Sequence, residues 1–163
     1  MAESQRPKIG VGVVIHDGAG NIVMGERASS HGAGTMQCPG GHLEYGESFA
    51  ECAKREVLEE TGLEVDNVKF LVATNDVFGE GKHYVTVFVT CRIVGENTAP
   101  QPMEPEKCAR WDWIPWAQMW AWAKEQAEAE AEAGVGEKSA KKQIFLPLVN
   151  LYREYPGMEN CLS

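Results

Sequence analysis

The chain has 163 residues, the size of a single domain, and its 44% hydrophobic and 24% charged content suits one packed core and excludes extensive disorder. A net charge of −9 argues against a nucleic-acid partner or an anionic membrane surface, because like charge repels a polyphosphate backbone. A small anionic substrate remains compatible if a metal ion neutralises it.

Met1 to Lys8 is short and polar and reads as a flexible tail without the apolar core of a signal peptide. Ile9 to Ile15 clusters β-branched residues and predicts a strand; Asp17-Gly-Ala-Gly20 supplies turn chemistry, and Asn21 to Arg27 predicts the returning strand. Residues 28–36 are small and Gly-rich, a loop, and Gln37-Cys-Pro-Gly-Gly41 cannot be regular helix. Ser48 is a good N-cap with Glu51 three residues on, a capping box; Phe49, Ala53 and Val57 share a face, and Gly62 stops the helix. Val65 to Phe78 and His83 to Val94 predict two strands, and Arg110 to Pro115 a last short one, after a Pro-rich loop over 95–107.

From Ala117 to about Ala133 the Ala, Glu and Trp content is helical by propensity, with Trp116 and Trp120 on one face. Acids at 125, 128, 130 and 132 spread round that helix, so its end reads as a solvated extension. Gly134, Gly136 and Lys138 to Lys142 break it, and Phe145 to Tyr152 returns as an apolar helix or turn. Strands interleaved with two or three helices predict an α/β fold, a sandwich around a mixed β-sheet. Five scattered cysteines without a CxxC pair fit reduced thiols of a cytoplasmic or nuclear protein.

The informative stretch runs from Gly41 to Leu63. Glu56, Glu59 and Glu60 stand at i, i+3 and i+4 and project from one helix face, where three like charges repel unless a divalent cation joins them. Mg²⁺ favours such oxygen donors. Gly40 and Gly41 lack the Cβ that would block close approach of backbone to a ligand. Arg55 can hold an acid in its planar fork, and Glu47 is the obvious candidate. A lone E-x-x-E-E on a helix is ordinarily solvated surface. Here all nine specified positions of G-x5-E-x7-R-E-U-x-E-E-x-G-U (U aliphatic) are met. Chance agreement is on the order of one in a million at ordinary residue frequencies.

That pattern is the Nudix box, and the chain resembles the Nudix hydrolase family. The resemblance implies a loop–helix–loop that binds Mg²⁺ or Mn²⁺, within an α/β/α sandwich. It implies Glu56, Glu59 and Glu60 as metal ligands with a backbone carbonyl of Gly40 or Gly41, Glu56 or Glu59 activating water, and Arg55 orienting Glu56 or Glu47. Cys38 to Glu47, His83 to Phe88 and Met103 to Cys108 with Trp111-Asp-Trp113 look like eukaryotic MutT-type nucleoside triphosphate diphosphatases. Those enzymes act on dGTP, 8-oxo-dGTP and related purine nucleotides.

The same likeness implies a base slot formed by Thr86, Phe145, Leu146 and Leu148 with Cys38, where core packing is an equal alternative for 145–148. Arg27 would contact phosphate, with Gly40 and Gly41 beside it, and a homodimer is implied. Glu104 and Glu106 are equally eligible as an extra ligand or base, and His83 is given no chemical role. Residues 117–143 do not match the pattern and look like a helical insertion. An isoprenoid diphosphate or ADP-ribose is the competing substrate, and a non-catalytic module is the competing class.

Overall fold

A computed structural model describes residues 5–29, 32–79, 81–133 and 143–162. The predicted strands form as β1 (Lys8–Ile15), β2 (Asn21–Arg27), β5 (Val65–Gly79), β6 (Lys82–Ile93) and β7 (Cys108–Pro115). Two short strands, β3 (Met36–Gln37) and β4 (Gly40–His42), lie in the stretch that cannot be helix. The helices are α1 (Phe49–Thr61), α2 (Trp116–Ala133) and α3 (Leu146–Glu154), followed by a 3₁₀ turn over Pro156–Asn160.

The strands divide into two sheets. A mixed sheet has the order β4-β1-β6-β5, with β1 and β6 parallel and the outer pairs antiparallel; an antiparallel sheet has the order β3-β2-β7. Strand alternation sends side chains to two cores. Val11, Val13 and Ile15 of β1 pack with Cys52, Ala53 and Val57 of α1, whereas Val14 packs with Trp120, Met119 and Leu148 from α2 and α3. Helices therefore cover both faces, the α/β/α sandwich that the sequence predicts.

Helix α1 is bounded as expected. Ser48 and Glu51 form both bonds of the capping box, and Gly62 takes φ 72° with its N–H bonded to the Leu58 carbonyl. Its C-terminal turn is pinned to β7, where Trp111 Nε1 donates to the Glu60 carbonyl at 3.1 Å.

Helix α2 refines one expectation. Trp116, Met119, Trp120, Ala123 and Ala127 form a stripe at helical spacing inside the core, so burial reaches into the start of the Ala-Glu segment, while Glu125, Glu128, Ala131 and Glu132 are exposed as expected of a solvated end. Its acids are carried on the remaining faces, and Glu130 bonds Arg153 of α3 at 2.6 Å. The sequence hid this because alanine, small and helix-favouring, reads alike on a buried or exposed face. Residues 134–142, the segment expected to break the helix, lie outside the described residues. So do residues 1–4 of the tail, and Lys8 already belongs to β1.

Candidate active site

The box helix, the β3–β4 turn and the start of α3 enclose a cavity of about 420 Å³. Its floor is β1 and β6. Gly10 and Gly12 on β1 leave room there; a Cβ on Gly12 would stand 2.8 Å from the Phe88 ring.

One end of the cavity is acidic. Glu56 and Glu60, one helical turn apart, both line it, close enough that each carboxyl influences the other's protonation. Burial, and then the nearby charges of Glu56 and Glu104, push the Glu60 carboxyl up to about 8, against an N–H bond from Gly40 at 3.1 Å. Burial also raises Glu56. Gly40 and Gly41 are there for space. A Cβ on Gly40 would collide with the Val11 carbonyl, and one on Gly41 with the Glu56 carboxylate.

Arg55 organises the acids as a fork. Its Nε and Nη2 grip the two oxygens of Glu47 at 2.5 and 3.1 Å, and its Nη1 bonds Glu56 at 2.8 Å. Arg55 thus orients both of the acids named for it. The bidentate bond holds the Glu47 carboxyl down at about 2, and Arg55 is itself raised by the same partner.

Glu59 departs from the expected set. It is exposed, does not line the cavity and lies 3.5 Å from Arg55 Nη1. Among the described residues no three acid, His or Cys side chains gather closely enough to hold a metal ion. Helical geometry sets the split: i+4 lies about 40° round the helix from i and i+3 about 60° the other way, so Glu59 stands at the edge of the face that Glu56 and Glu60 turn to the cavity. Donor chemistry nevertheless fits a hard divalent cation. Two acidic side chains lie together in a recess where an ion would satisfy both, and no packing holds the exposed Glu59 away.

The other end is aromatic. The Phe145 and Phe78 rings lie 5.3 Å apart, Tyr84 meets Phe78 edge-on, and His42 stacks on Tyr84 at 5.5 Å. Arg27 covers the Phe145 ring at 4.3 Å and donates to Gln37 at 2.5 Å; burial lowers its pKa. Arg27 therefore stands at the aromatic end, with its guanidinium also under the influence of Glu60.

Cys38, Thr86, Phe145 and Leu148 line the cavity as expected, and burial raises the Cys38 thiol to about 12, so it remains a neutral wall. Leu146 does not. As the first residue of α3 it turns about 100° from Phe145, and Pro147 lines the cavity in its place. Lys107 also lines the site and bonds Glu104 at 2.9 Å, whereas Glu106 and His83 lie off it; His83 pairs with Asn75.

Sequence reasoning missed Gln37, Phe78, Tyr84 and the glycines of β1. Only the glycines carried a local signal, since alternating Gly within a strand marks close approach.

Residues 6–134 match the NUDIX domain family, and the chain belongs to that family. It is 34% identical over 112 residues to the oxidized purine nucleoside triphosphate hydrolase of Danio rerio, covering 63% of this chain and 66% of that protein. It is 44% identical over 66 residues to the RNA pyrophosphohydrolase of Dinoroseobacter shibae, covering 40% of this chain and 41% of that one. The matched parts thus span less than two thirds of either relative. Among solved structures, the MutT protein of Methanosarcina mazei Go1 superposes with a TM-score of 0.68 at 16% identity, over 98% of this chain and 99% of that one, a likeness of fold.

Proposed function

We propose that the protein hydrolyses a purine nucleoside triphosphate, such as dGTP or 8-oxo-dGTP, to the monophosphate and pyrophosphate with Mg²⁺ (or Mn²⁺) bound at the glutamates. The observation that carries this reading is the shape of one cavity, with Glu56 and Glu60 at one end and the rings of Phe78, Phe145 and Tyr84 at the other. A molecule with a flat apolar base and a charged phosphate tail matches both ends. The similarity to an oxidized purine nucleoside triphosphate hydrolase supports the same choice.

Glu56, Glu60 and the neighbouring Glu59 would hold the cation with a backbone carbonyl of Gly40 or Gly41. When bound, a divalent cation neutralises the diphosphate and makes an attacking water more acidic. Glu56 or Glu59 takes the water's proton as its oxygen bonds to phosphorus and the bond to the leaving pyrophosphate breaks. Arg55 keeps Glu47 and Glu56 in place, and the Gly40 N–H orients Glu60. Phe145 and Phe78 stack the base, which fixes the reacting phosphorus relative to the acids.

The test is kcat/KM for dGTP, 8-oxo-dGTP, ADP-ribose and geranyl diphosphate, each with Mg²⁺ and with chelator. The nucleoside triphosphates should lead, and chelator should abolish turnover. A leading geranyl diphosphate or ADP-ribose overturns the substrate assignment, and turnover in chelator overturns the metal. The proposal extends to a cytoplasmic homodimer, which sedimentation and imaging of the tagged full chain would check.

A further inference from the structure

Asp76 on β5 is fully buried, yet nothing assigned so far uses it. Three groups converge on its carboxylate. Thr86 Oγ1 donates to Oδ2 at 2.5 Å, Thr74 Oγ1 donates to the same oxygen at 3.0 Å, and Asn150 Nδ2 donates to Oδ1 at 2.9 Å. The set is tied further into α3 and α2, because Arg153 bonds both Asn150 and Glu130.

Thr86 is the member of this set that lines the cavity. A carboxylate has only acceptors, so the single hydroxyl proton of Thr86 is committed to Asp76. What remains on Thr86 Oγ1 is lone-pair capacity. The neighbouring strand leaves that atom uncovered, since β1 has Gly10 there, whose Cβ, if present, would stand 3.9 Å from Oγ1. Among the described residues no donor reaches Thr86 Oγ1, so the floor offers an acceptor at this point.

We infer that Asp76 fixes Thr86 as a one-way acceptor in the cavity floor, so that the site selects bases presenting an N–H there and rejects those presenting a lone pair. The selection works because a lone pair set against Oγ1 leaves two acceptors facing each other in a buried place. This rests on the nucleotide reading above and deepens it. It makes Thr86 a specificity-determining residue and Asp76 the positioning residue that sets its polarity.

The test compares binding of two probes by calorimetry to the full chain with Mg²⁺. Guanosine 5′-monophosphate carries N–H donors on its base, whereas purine riboside 5′-monophosphate has the same ring system with none. The wild type should bind the guanine probe at least about 10-fold more tightly. Thr86→Val, close in shape, should shrink that gap to about 2-fold by weakening the guanine probe alone, and Thr86→Ser should restore it. Asp76→Asn, whose amide can donate to Thr86, should narrow the gap too.

A gap that persists in Thr86→Val, equal weakening of both probes, or a wild type that binds both alike overturns the inference. Should Asp76→Asn fail to fold, the valine and serine pair still decides. A wild type that binds neither probe and turns over no nucleoside triphosphate refutes the nucleotide reading itself, a different outcome from equal binding of the two.

Discussion

Gln126 on α2 holds a wall of the cavity from behind, and its loss should loosen that wall. Its side chain is buried; Oε1 accepts the Ile144 N–H at 2.6 Å, and Nε2 reaches the Ile144 carbonyl at 3.4 Å and Glu130 at 3.0 Å. Ile144 bridges Met36, and Phe145 N–H bonds the Met36 carbonyl, so this amide clips the segment before α3 against β3. Gln126→Leu leaves the Ile144 N–H buried without an acceptor, at about 1–3 kcal/mol. The 3.4 Å contact adds little, and the leucine regains some apolar burial. At about 2–4 °C per kcal/mol for a chain of this length, Tm should fall by about 2–12 °C.

Phe145 is the next residue, so KM for the best nucleotide should rise several-fold while kcat changes little. Thermal melts, hydrogen exchange at the Ile144 amide and steady-state kinetics read these effects. A Tm within about 1 °C of wild type, or unaltered exchange at Ile144, would refute the clip.

Three further outcomes follow from the acidic end. Glu59→Gln and Glu60→Gln should each lower kcat by about 10²-fold or more while leaving the fold intact, because Glu60 lines the cavity and the exposed Glu59 beside it is free of core packing and would complete the cation's donors; unaltered turnover in Glu60→Gln would remove it from the metal set. In chelator, wild-type stability should fall as pH rises from about 4.5 to 8. A carboxyl raised to about 8 keeps a proton in the folded state that the unfolded state has lost, and the limiting slope for one proton is about 1.4 kcal/mol per pH unit. Urea melts across that range should show the slope in wild type and a flatter profile in Glu60→Gln; identical profiles would exclude Glu60 as its source. Gly41→Ala should weaken Mg²⁺ binding by about 10-fold or more, since the added methyl meets the Glu56 carboxylate; normal metal titration in that variant would mean the loop gives way freely.

Most of the chain's local order is legible in its residues alone. β-branched runs fixed the main strands, Ser48 and Glu51 fixed where α1 begins, Gly62 fixed where it ends, and the nine-position box made the family legible. These are short-range properties, set by φ/ψ preference, capping and i to i+4 spacing, and they survive without knowledge of the rest of the molecule.

Which of the named residues share a space is settled by the packed fold. It joined Glu56 to Glu60 and set Glu59 at the rim, gave the cavity Pro147 where Leu146 was expected, and placed Arg27 on Phe145, 118 positions away in the chain. It also turned the Ala-Glu helix inward and buried Asp76 behind Thr86. Such choices depend on sheet order and on the angle at which helices land on it. Hydrophobic burial is non-directional, so a residue type tells that a side chain is inside but not which neighbour it will meet.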